Sequence, residues 1–178
     1  IHKEKAGQYY EPFLVNNLCH VGNKWLFAAT QAGVISINLQ TKKTELRHKG
    51  ENIRNVAIYD GKLYILSDNQ LTIEGFNGAD SKTFSLPPSV LSFYKASSTY
   101  YFITSSSILL SDNLKRFVTI PLRNNIPDNP HQISIADDGN GFSVLLTKNA
   151  VWRIPIHLGV FNANPPVLVT CVSDKSLN

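Results

Sequence analysis

Residues Leu63 to Glu74, which read Leu-Tyr-Ile-Leu-Ser-Asp-Asn-Gln-Leu-Thr-Ile-Glu, contain the pattern that decides the fold. An apolar run ends in a small hydroxyl residue, a polar turn follows at Asp68 and Asn69, and apolar–polar alternation then resumes. This pattern predicts two antiparallel strands joined by a tight turn. The same order of residues recurs in the chain at 25–37, 100–110 and 142–154.

Repeats of about 40 residues, each with room for four short strands, are typical of β-propeller blades. A four-stranded sheet with two apolar faces cannot cover both of them by itself, whereas its radial neighbours can. The predicted fold class is therefore all-β, with about four four-stranded antiparallel blades that form a whole small ring or part of a larger one. A β-sandwich is the alternative, because regularly spaced short strands also suit it. The internal repeat favours the propeller.

The repeats divide a single β-propeller-like domain, 1–178, into units at about 8–49, 50–88, 89–130 and 131–178. Turns rich in Gly, Asn and Asp separate the strands, and Asp60-Gly61 between two apolar runs is a strong hairpin signal. An edge strand is predicted at 8–15, where Pro12 interrupts the ladder. The four blades could close as one ring, pair with a second copy or belong to a longer ring, and the sequence leaves these three arrangements open.

Aligning the units on Trp25, Leu63, Tyr100 and Phe142 predicts which side chains are buried in central strands. The predicted residues are Trp25, Phe27, Leu63, Ile65, Tyr101, Ile103, Val144 and Leu146.

Three segments resemble known propeller repeats. Residues 25–34, Trp-Leu-Phe-Ala-Ala-Thr-Gln-Ala-Gly-Val, resemble the repeat of two-component-regulator propellers, in which an apolar strand leads into Thr and a Gly-containing turn. Leu63–Leu71 resembles the apolar-Leu-Ser-turn-Leu element of citron-homology propellers. Ser111–Phe117 is similar to the Asp-box hairpin of sialidase-type propellers, but it lacks their Gly and their Thr-Trp pair. These resemblances imply a propeller with a sensing or docking role.

Composition narrows the classes of partner. The formal net charge is +4 and only 17% of the residues are charged, without the dense Lys/Arg stripe that nucleic-acid binding requires. No run approaches the roughly 20 apolar residues that span a bilayer. The chain begins with Ile1 and shows no signal-peptide pattern, which indicates a processed product or a cut fragment, and the sequence makes no prediction of the compartment.

No residue pattern predicts a catalytic centre, a metal or a cofactor. The five histidines lack metal-ligand spacing, and Cys19 and His20 are neighbours whose side chains point to opposite faces of a strand. Patterns for a nucleophile elbow, a P-loop or a dinucleotide site are absent from the sequence. Residues 137–141, Asp-Asp-Gly-Asn-Gly, are predicted to form a hairpin turn and not a calcium site. Cys19 and Cys171 are either two buried thiols or a disulfide that joins the ends.

Strand connectivity sorts the loops onto two faces of the domain. The first and third turns of every blade lie on one face, and the second turns and the linkers between blades lie on the other. The loop Arg123–His131, which contains two prolines, and the linker His48–Arg54 share the second face, and long loops on a rigid scaffold often carry function. The candidate binding residues are Arg123, Asn124, Asn125, Ile126, Asp128, His131, His48, Lys49 and Arg54.

The sequence thus predicts a non-catalytic propeller module for protein docking or ligand sensing. A glycan-binding or sialidase-like propeller is the first alternative, motivated by the partial Asp-box, and a structural segment of a larger propeller is the second. A protein is the expected partner, and self-association, a larger ring and a glycan ligand stay open.

Overall fold

The computed structural model describes residues 14–96 and 98–121 and the strands of a fourth unit. At residue 96 and in the fourth unit only the backbone is described. No helix within these ranges has the length and apolar character needed to cross a membrane.

The described strands form four antiparallel sheets, and each sheet uses four consecutive strands in chain order. Sheet 1 contains β1 (Val15–Val21), β2 (Trp25–Thr30), β3 (Gly33–Asn38) and β4 (Thr44–Arg47). Sheet 2 contains β5 (Asn55–Tyr59), β6 (Lys62–Leu66), β7 (Gln70–Glu74) and β8 (Lys82–Ser85). Sheet 3 contains β9 (Ser92–Ala96), β10 (Thr99–Ile103), β11 (Ser107–Ser111) and β12 (Val118–Pro121). Sheet 4 contains β13 (Ser134–Asp137), β14 (Phe142–Leu146), β15 (Ala150–Pro155) and β16 (Val167–Cys171).

The second strands of the first three sheets are buried on both faces. In β6 the consecutive residues Leu63, Tyr64, Ile65 and Leu66 are all buried. Because successive side chains of a strand point to opposite faces, both faces of sheet 2 must be covered. Sandwich sheets commonly bury one face and leave the other polar and exposed. The burial therefore confirms the predicted fold class, an all-β chain of propeller-type blades.

Each sheet packs on the next in chain order. We call the face that meets the following sheet the front face and the opposite one the back face. One core joins the front face of sheet 1 to the back face of sheet 2, through Phe27, Ala29, Val34, Val56, Leu63 and Ile65. A second core joins the front face of sheet 2 to the back face of sheet 3, through Tyr64, Leu66, Leu71, Phe93, Phe102 and Leu109.

Aromatic pairs cross both of these interfaces. The rings of Phe27 and Phe76 have centroids 5.9 Å apart, and those of Tyr64 and Phe93 stack at 6.2 Å. Both separations lie in the range where aromatic pairs are favourable, so the stacking of sheets 1, 2 and 3 has specific as well as non-directional contacts.

The predicted core is confirmed where the structure describes it, with one displacement. Trp25 begins β2 and is half-buried, and Lys62 begins β6. The counterpart of Trp25 in sheet 2 is therefore Lys62, and the counterpart of Leu63 in sheet 1 is Leu26. The alignment at Trp25 was therefore wrong by one residue, and so was the alignment at Phe142, which begins β14. The side chains of Val144 and Leu146 lie outside the described residues. The buried members are Phe27, Leu63, Ile65, Tyr101 and Ile103.

Two predicted local features fall largely outside the described residues. The edge strand at 8–15 is described only from residue 14, and Val15 begins β1. Of the predicted turn at 137–141, only Asp137 is described, as the last residue of β13. The proposed unit boundaries stay predictions.

Truncation of Ile65 tests the two-sided burial. Ile65 is 1% exposed in the core between sheets 1 and 2, so Ile65→Ala is expected to lower the free energy of unfolding by about 2–5 kcal/mol, measured by urea denaturation. Val118→Ala is the matched control, because Val118 is exposed on β12 and its truncation should change stability by about 0.5 kcal/mol or less. An Ile65→Ala protein as stable as the control would contradict the packing.

Candidate binding surface on the linker face

Backbone hydrogen bonds between loops confirm for sheet 1 that the turns lie on two faces. The Leu39 amide donates to the Lys24 carbonyl at 2.8 Å, which joins the first and third turns of sheet 1. The Gly50 amide donates to the Ala32 carbonyl at 3.0 Å, which joins the second turn to the linker that follows the sheet. We call the surface of second turns and linkers the linker face, and the opposite surface the turn face.

The linker His48–Arg54 is tied to both sheets that it connects. The Ile53 amide donates to the carbonyl of Thr30 in sheet 1 at 2.9 Å, and the Arg54 amide donates to the carbonyl of Leu66 in sheet 2 at 2.8 Å. The Asn16 side-chain amide donates to the Ile53 carbonyl at 2.7 Å. These bonds fix the linker main chain on the ends of β1, β2 and β6.

Arg54 is held at the surface by an ion pair. Its Nε lies 2.9 Å from Oδ1 of Asp68, which also accepts a longer hydrogen bond, 3.4 Å, from the Asn52 side-chain amide. Both partners are at least partly exposed, so the pair contributes little to stability but orients the guanidinium. A cleft of about 430 Å³ lies along the first strands of sheets 1, 2 and 3, and one of about 300 Å³ lies beside Asp68. The cleft beside Asp68 is lined by Gly50, Glu51, Asn52, Ser67, Asp68, Asn69 and Gln70.

Beneath the linker lies a buried ionic cluster. Glu74, in β7, is only 3% exposed. Its Oε1 lies 2.8 Å from Nη1 of Arg47, and its Oε2 lies 3.2 Å from Nε2 of His48. The other ring nitrogen of His48 lies 3.5 Å from Oε1 of Glu51, which is exposed. His48 therefore connects a carboxylate buried between the sheets to one on the surface.

The carboxylates raise the pKa of His48 above its usual value of 6.5. The hydrogen bond to Glu74 is the largest cause, partial burial opposes it, and the negative charges of Glu74 and Glu51 add to the rise. Folding therefore shifts the equilibrium of His48 toward its protonated form.

Arg47 is bound by charge and by a ring, not by hydrogen bonds. Its contact with Glu74 lacks hydrogen-bond geometry, and within the described residues its guanidinium nitrogens have no acceptor. The guanidinium carbon lies 5.6 Å from the centroid of the Phe27 ring, within the range of a cation–π contact. Gly33 leaves room for the main chain at the end of β4. A Cβ at residue 33 would meet the carbonyl oxygens of Arg47 and His48.

The structure places three of the predicted binding residues together on the linker face. His48 is fixed from below by Glu74, Lys49 is exposed, and Arg54 is oriented by Asp68. The remaining predicted residues lie outside the described residues, so their place on this face stays a prediction. They are Arg123, Asn124, Asn125, Ile126, Asp128 and His131.

Sequence reasoning missed the partners that hold this surface. Arg47 and Glu74 are 27 positions apart, so no local spacing connects them. Glu74 itself could have indicated a buried ion pair, because it places a charge at the register position that Ile37 occupies in sheet 1. Asp68 was recognised only as a turn residue.

The Asp-box-like segment on the turn face is a structural hairpin. Asn113 Oδ1 accepts hydrogen bonds from the amides of Lys115 at 2.9 Å and Arg116 at 3.0 Å. The equivalent turn of sheet 1 is closed in the same way, because Asn38 Oδ1 accepts from the amides of Gln40 and Thr41. The shared Asn explains the segment as a repeated turn device.

Cys19 carries a free thiol, which agrees with the unpaired alternative for the cysteines. Burial raises its pKa to about 12, so the thiol is protonated at neutral pH. Within the described ranges no group of three or more His, Cys, Asp or Glu side chains is placed to hold a metal ion.

Comparison with known proteins shows similarity of fold. No protein-family model matches the chain, and no curated protein matches it in sequence. The extracellular domain of BT4673 from B. thetaiotaomicron, described as a hybrid two-component system, matches 97% of the chain at 17% identity with a TM-score of 0.66. PorZ, an essential surface component of the type-IX secretion system of Porphyromonas gingivalis, matches 80% at 18% identity with a TM-score of 0.56. The CNH domain of AfRom2 matches 79% at 11% identity with a TM-score of 0.58.

The chain shares the fold of these proteins. The matched part spans 24% of the BT4673 structure, 21% of PorZ and 48% of the AfRom2 domain. These neighbours include an extracellular domain and a bacterial surface component. What the chain shares with them is the fold, an all-β architecture of repeated sheets.

Removing the charge of Glu74 is expected to destabilise the protein strongly. Glu74→Gln leaves the Arg47 guanidinium buried without a counter-charge, so the free energy of unfolding should fall by about 3–5 kcal/mol in urea denaturation. The double variant Arg47→Met with Glu74→Leu removes both charges and should be more stable than Glu74→Gln. A double variant that is less stable than Glu74→Gln would contradict the account of the cluster.

Stability should also depend on the protonation of His48. Because its pKa is higher in the folded than in the unfolded protein, its contribution is fully present below about pH 6.5 and is lost as the pH rises through the folded pKa. Urea denaturation from acidic to mildly alkaline pH should show this loss in the wild type and not in His48→Gln. His20→Gln, which replaces an exposed histidine on β1, is the control and should keep the wild-type pH profile. A His48→Gln protein that loses stability over this pH range as the wild type does would refute the assignment of the effect to His48.

Proposed function

We propose that the chain is a non-catalytic binding module that docks an acidic segment of a protein partner on its linker face. The observation that carries the proposal is the attachment of the His48–Arg54 linker to sheets 1 and 2 through the amides of Ile53 and Arg54. A linker whose main chain is already fixed loses little conformational entropy when a partner binds.

The chemistry of this surface suits carboxylates. Arg54 has its Nε on Asp68, so the guanidinium is oriented while a quarter of the side chain stays exposed. A guanidinium binds a carboxylate with two parallel hydrogen bonds, and arginine is a frequent hot-spot residue of interfaces. Lys49 adds an exposed positive charge on the same linker. From the strand connectivity we expect the loop Arg123–His131 on the same face, where it would add Arg123.

The fold comparison supports a sensing or docking role. BT4673, whose extracellular domain matches 97% of the chain, is described as a hybrid two-component system.

A glycan ligand is the second candidate. The cleft beside Asp68 is lined by side-chain amides, a hydroxyl and carboxylates, including Asn52, Ser67 and Gln70. These groups can donate to and accept from sugar hydroxyls. The small size and open shape of the cleft fit one or two sugar rings at a surface.

Peptides selected from a display library on the immobilised chain provide the probe. The enriched peptides should be acidic, and Lys49→Glu combined with Gly-Ser in place of Ile126–Asn129 should weaken their binding about tenfold or more in calorimetry. Lys115→Glu with Arg116→Glu on the turn face is the control and should leave the affinity unchanged.

Two other outcomes would reject protein docking on this face. Peptides that bind the linker-face variant normally but fail on charge reversal at Lys42, Lys43, Lys115 and Arg116 would place the site on the turn face. Failure to select any peptide, with glycan-array binding that is lost in Asn52→Ala and Gln70→Ala, would favour the glycan alternative.

A further inference from the structure

The back face of sheet 1 is exposed where the equivalent faces of sheets 2 and 3 are covered. Leu18 of β1 pairs with Ala28, two residues before the Thr30 that ends β2. Val56 in sheet 2 and Phe93 in sheet 3 hold the same register position. Val56 is 2% exposed and Phe93 is 4% exposed, whereas Leu18 is 57% exposed. Leu18 thus occupies a position that a neighbouring sheet covers elsewhere in the repeat.

Three other side chains of this face show the same difference, whereas Ala28 and Thr30 are buried. Leu26, Ile35 and Ile37 are half-buried, whereas their counterparts in sheet 2 are buried, namely Leu63, Thr72 and Glu74. Leu14 and Val15, at the beginning of β1, are exposed as well. An exposed apolar surface of this kind marks an interaction site.

The order of the sheets indicates what fits this surface. The first strands of successive sheets pack on each other, β1 on β5, β5 on β9 and β9 on β13, but β1 and β13 form no comparable contact among the described strands. In every described interface a back face receives the front face of another sheet of the same repeat. Sheet 4 is the last in this order. Its register places Ala136 opposite Val144 and Ser134 opposite Leu146, at front-face positions.

We propose that a second copy of this chain covers the back face of sheet 1 with the front face of its sheet 4. The occupant follows from continuity with the existing interfaces, because it presents the same repeat positions that sheet 1 presents to sheet 2. When both copies do this, two identical contacts close a two-fold ring. A ring of two four-sheet chains has eight blades, within the range of four to eight that propellers form. The surface is distinct from the linker face, so the inference does not rest on the proposed docking function.

Light scattering coupled to size-exclusion chromatography tests the inference over a range of protein concentrations. The wild type should have twice the chain mass of 19.8 kDa, and Leu18→Lys should reduce the mass to that of one chain with an unchanged circular dichroism spectrum. Val118→Lys is the matched control, because Val118 is an exposed apolar residue of sheet 3, and it should remain dimeric.

A wild type with the mass of one chain at every concentration would overturn the inference, and so would a dimer that persists in Leu18→Lys. Leu18→Ser provides a milder second variant, in which the dissociation constant of the dimer should rise about tenfold or more. An unchanged dissociation constant in Leu18→Ser would also count against the second copy.

Discussion

The structure depends on the fact that both faces of its central strands are apolar. In β6 the side chains of Leu63 and Ile65 point to one face and those of Tyr64 and Leu66 to the other, and all four are buried. Neither face can therefore meet water without exposing large apolar surface, which costs about 25 cal/mol for each Å². Stacking one four-stranded sheet on the next satisfies this constraint, and it also determines that the turns collect on two opposite surfaces.

The ionic cluster links this core to the candidate binding surface. Glu74 lies in the interface between sheets 1 and 2, where an apolar residue would otherwise suit the packing, and it holds both Arg47 and His48. The desolvation of such charges is expensive, so the cluster is weak as a source of stability. The cluster instead fixes the position of the linker. His48 begins the linker, and the His48 ring is oriented by Glu74 from within the core. The ring at the beginning of the linker is thus held by a carboxylate of the core.

Much of the fold could be predicted because strand alternation and turn residues are local signals. The bounds of β2 and β14 follow directly from apolar runs and from the turns beside them. The displaced alignment at Trp25 arose because a bulky aromatic residue at a strand start resembles a core position. The register is instead determined by the hydroxyl residue at the strand end, where the Thr30 side chain accepts from the Ala32 amide and donates to the Gly33 carbonyl.

The candidate site could be predicted only in part, because its contacts are long-range. Connectivity alone placed His48, Lys49 and Arg54 on one face. The contacts that hold them, from Glu74 to His48 and from Asp68 to Arg54, join residues 26 and 14 positions apart. Spacing within a strand or a turn carries no information about such pairs, and they became visible only when sheets 1 and 2 were placed together.

The most direct test of the stacked-sheet account is a nuclear Overhauser spectrum of the methyl groups and aromatic rings of sheet 2. The Leu63 and Ile65 methyl groups should show cross-peaks to rings on the sheet 1 side, such as Phe27, and the Tyr64 ring should show cross-peaks to Phe93 of sheet 3. Cross-peaks on one side only, with Ile65 or Tyr64 facing solvent, would contradict the burial of both faces on which the account rests.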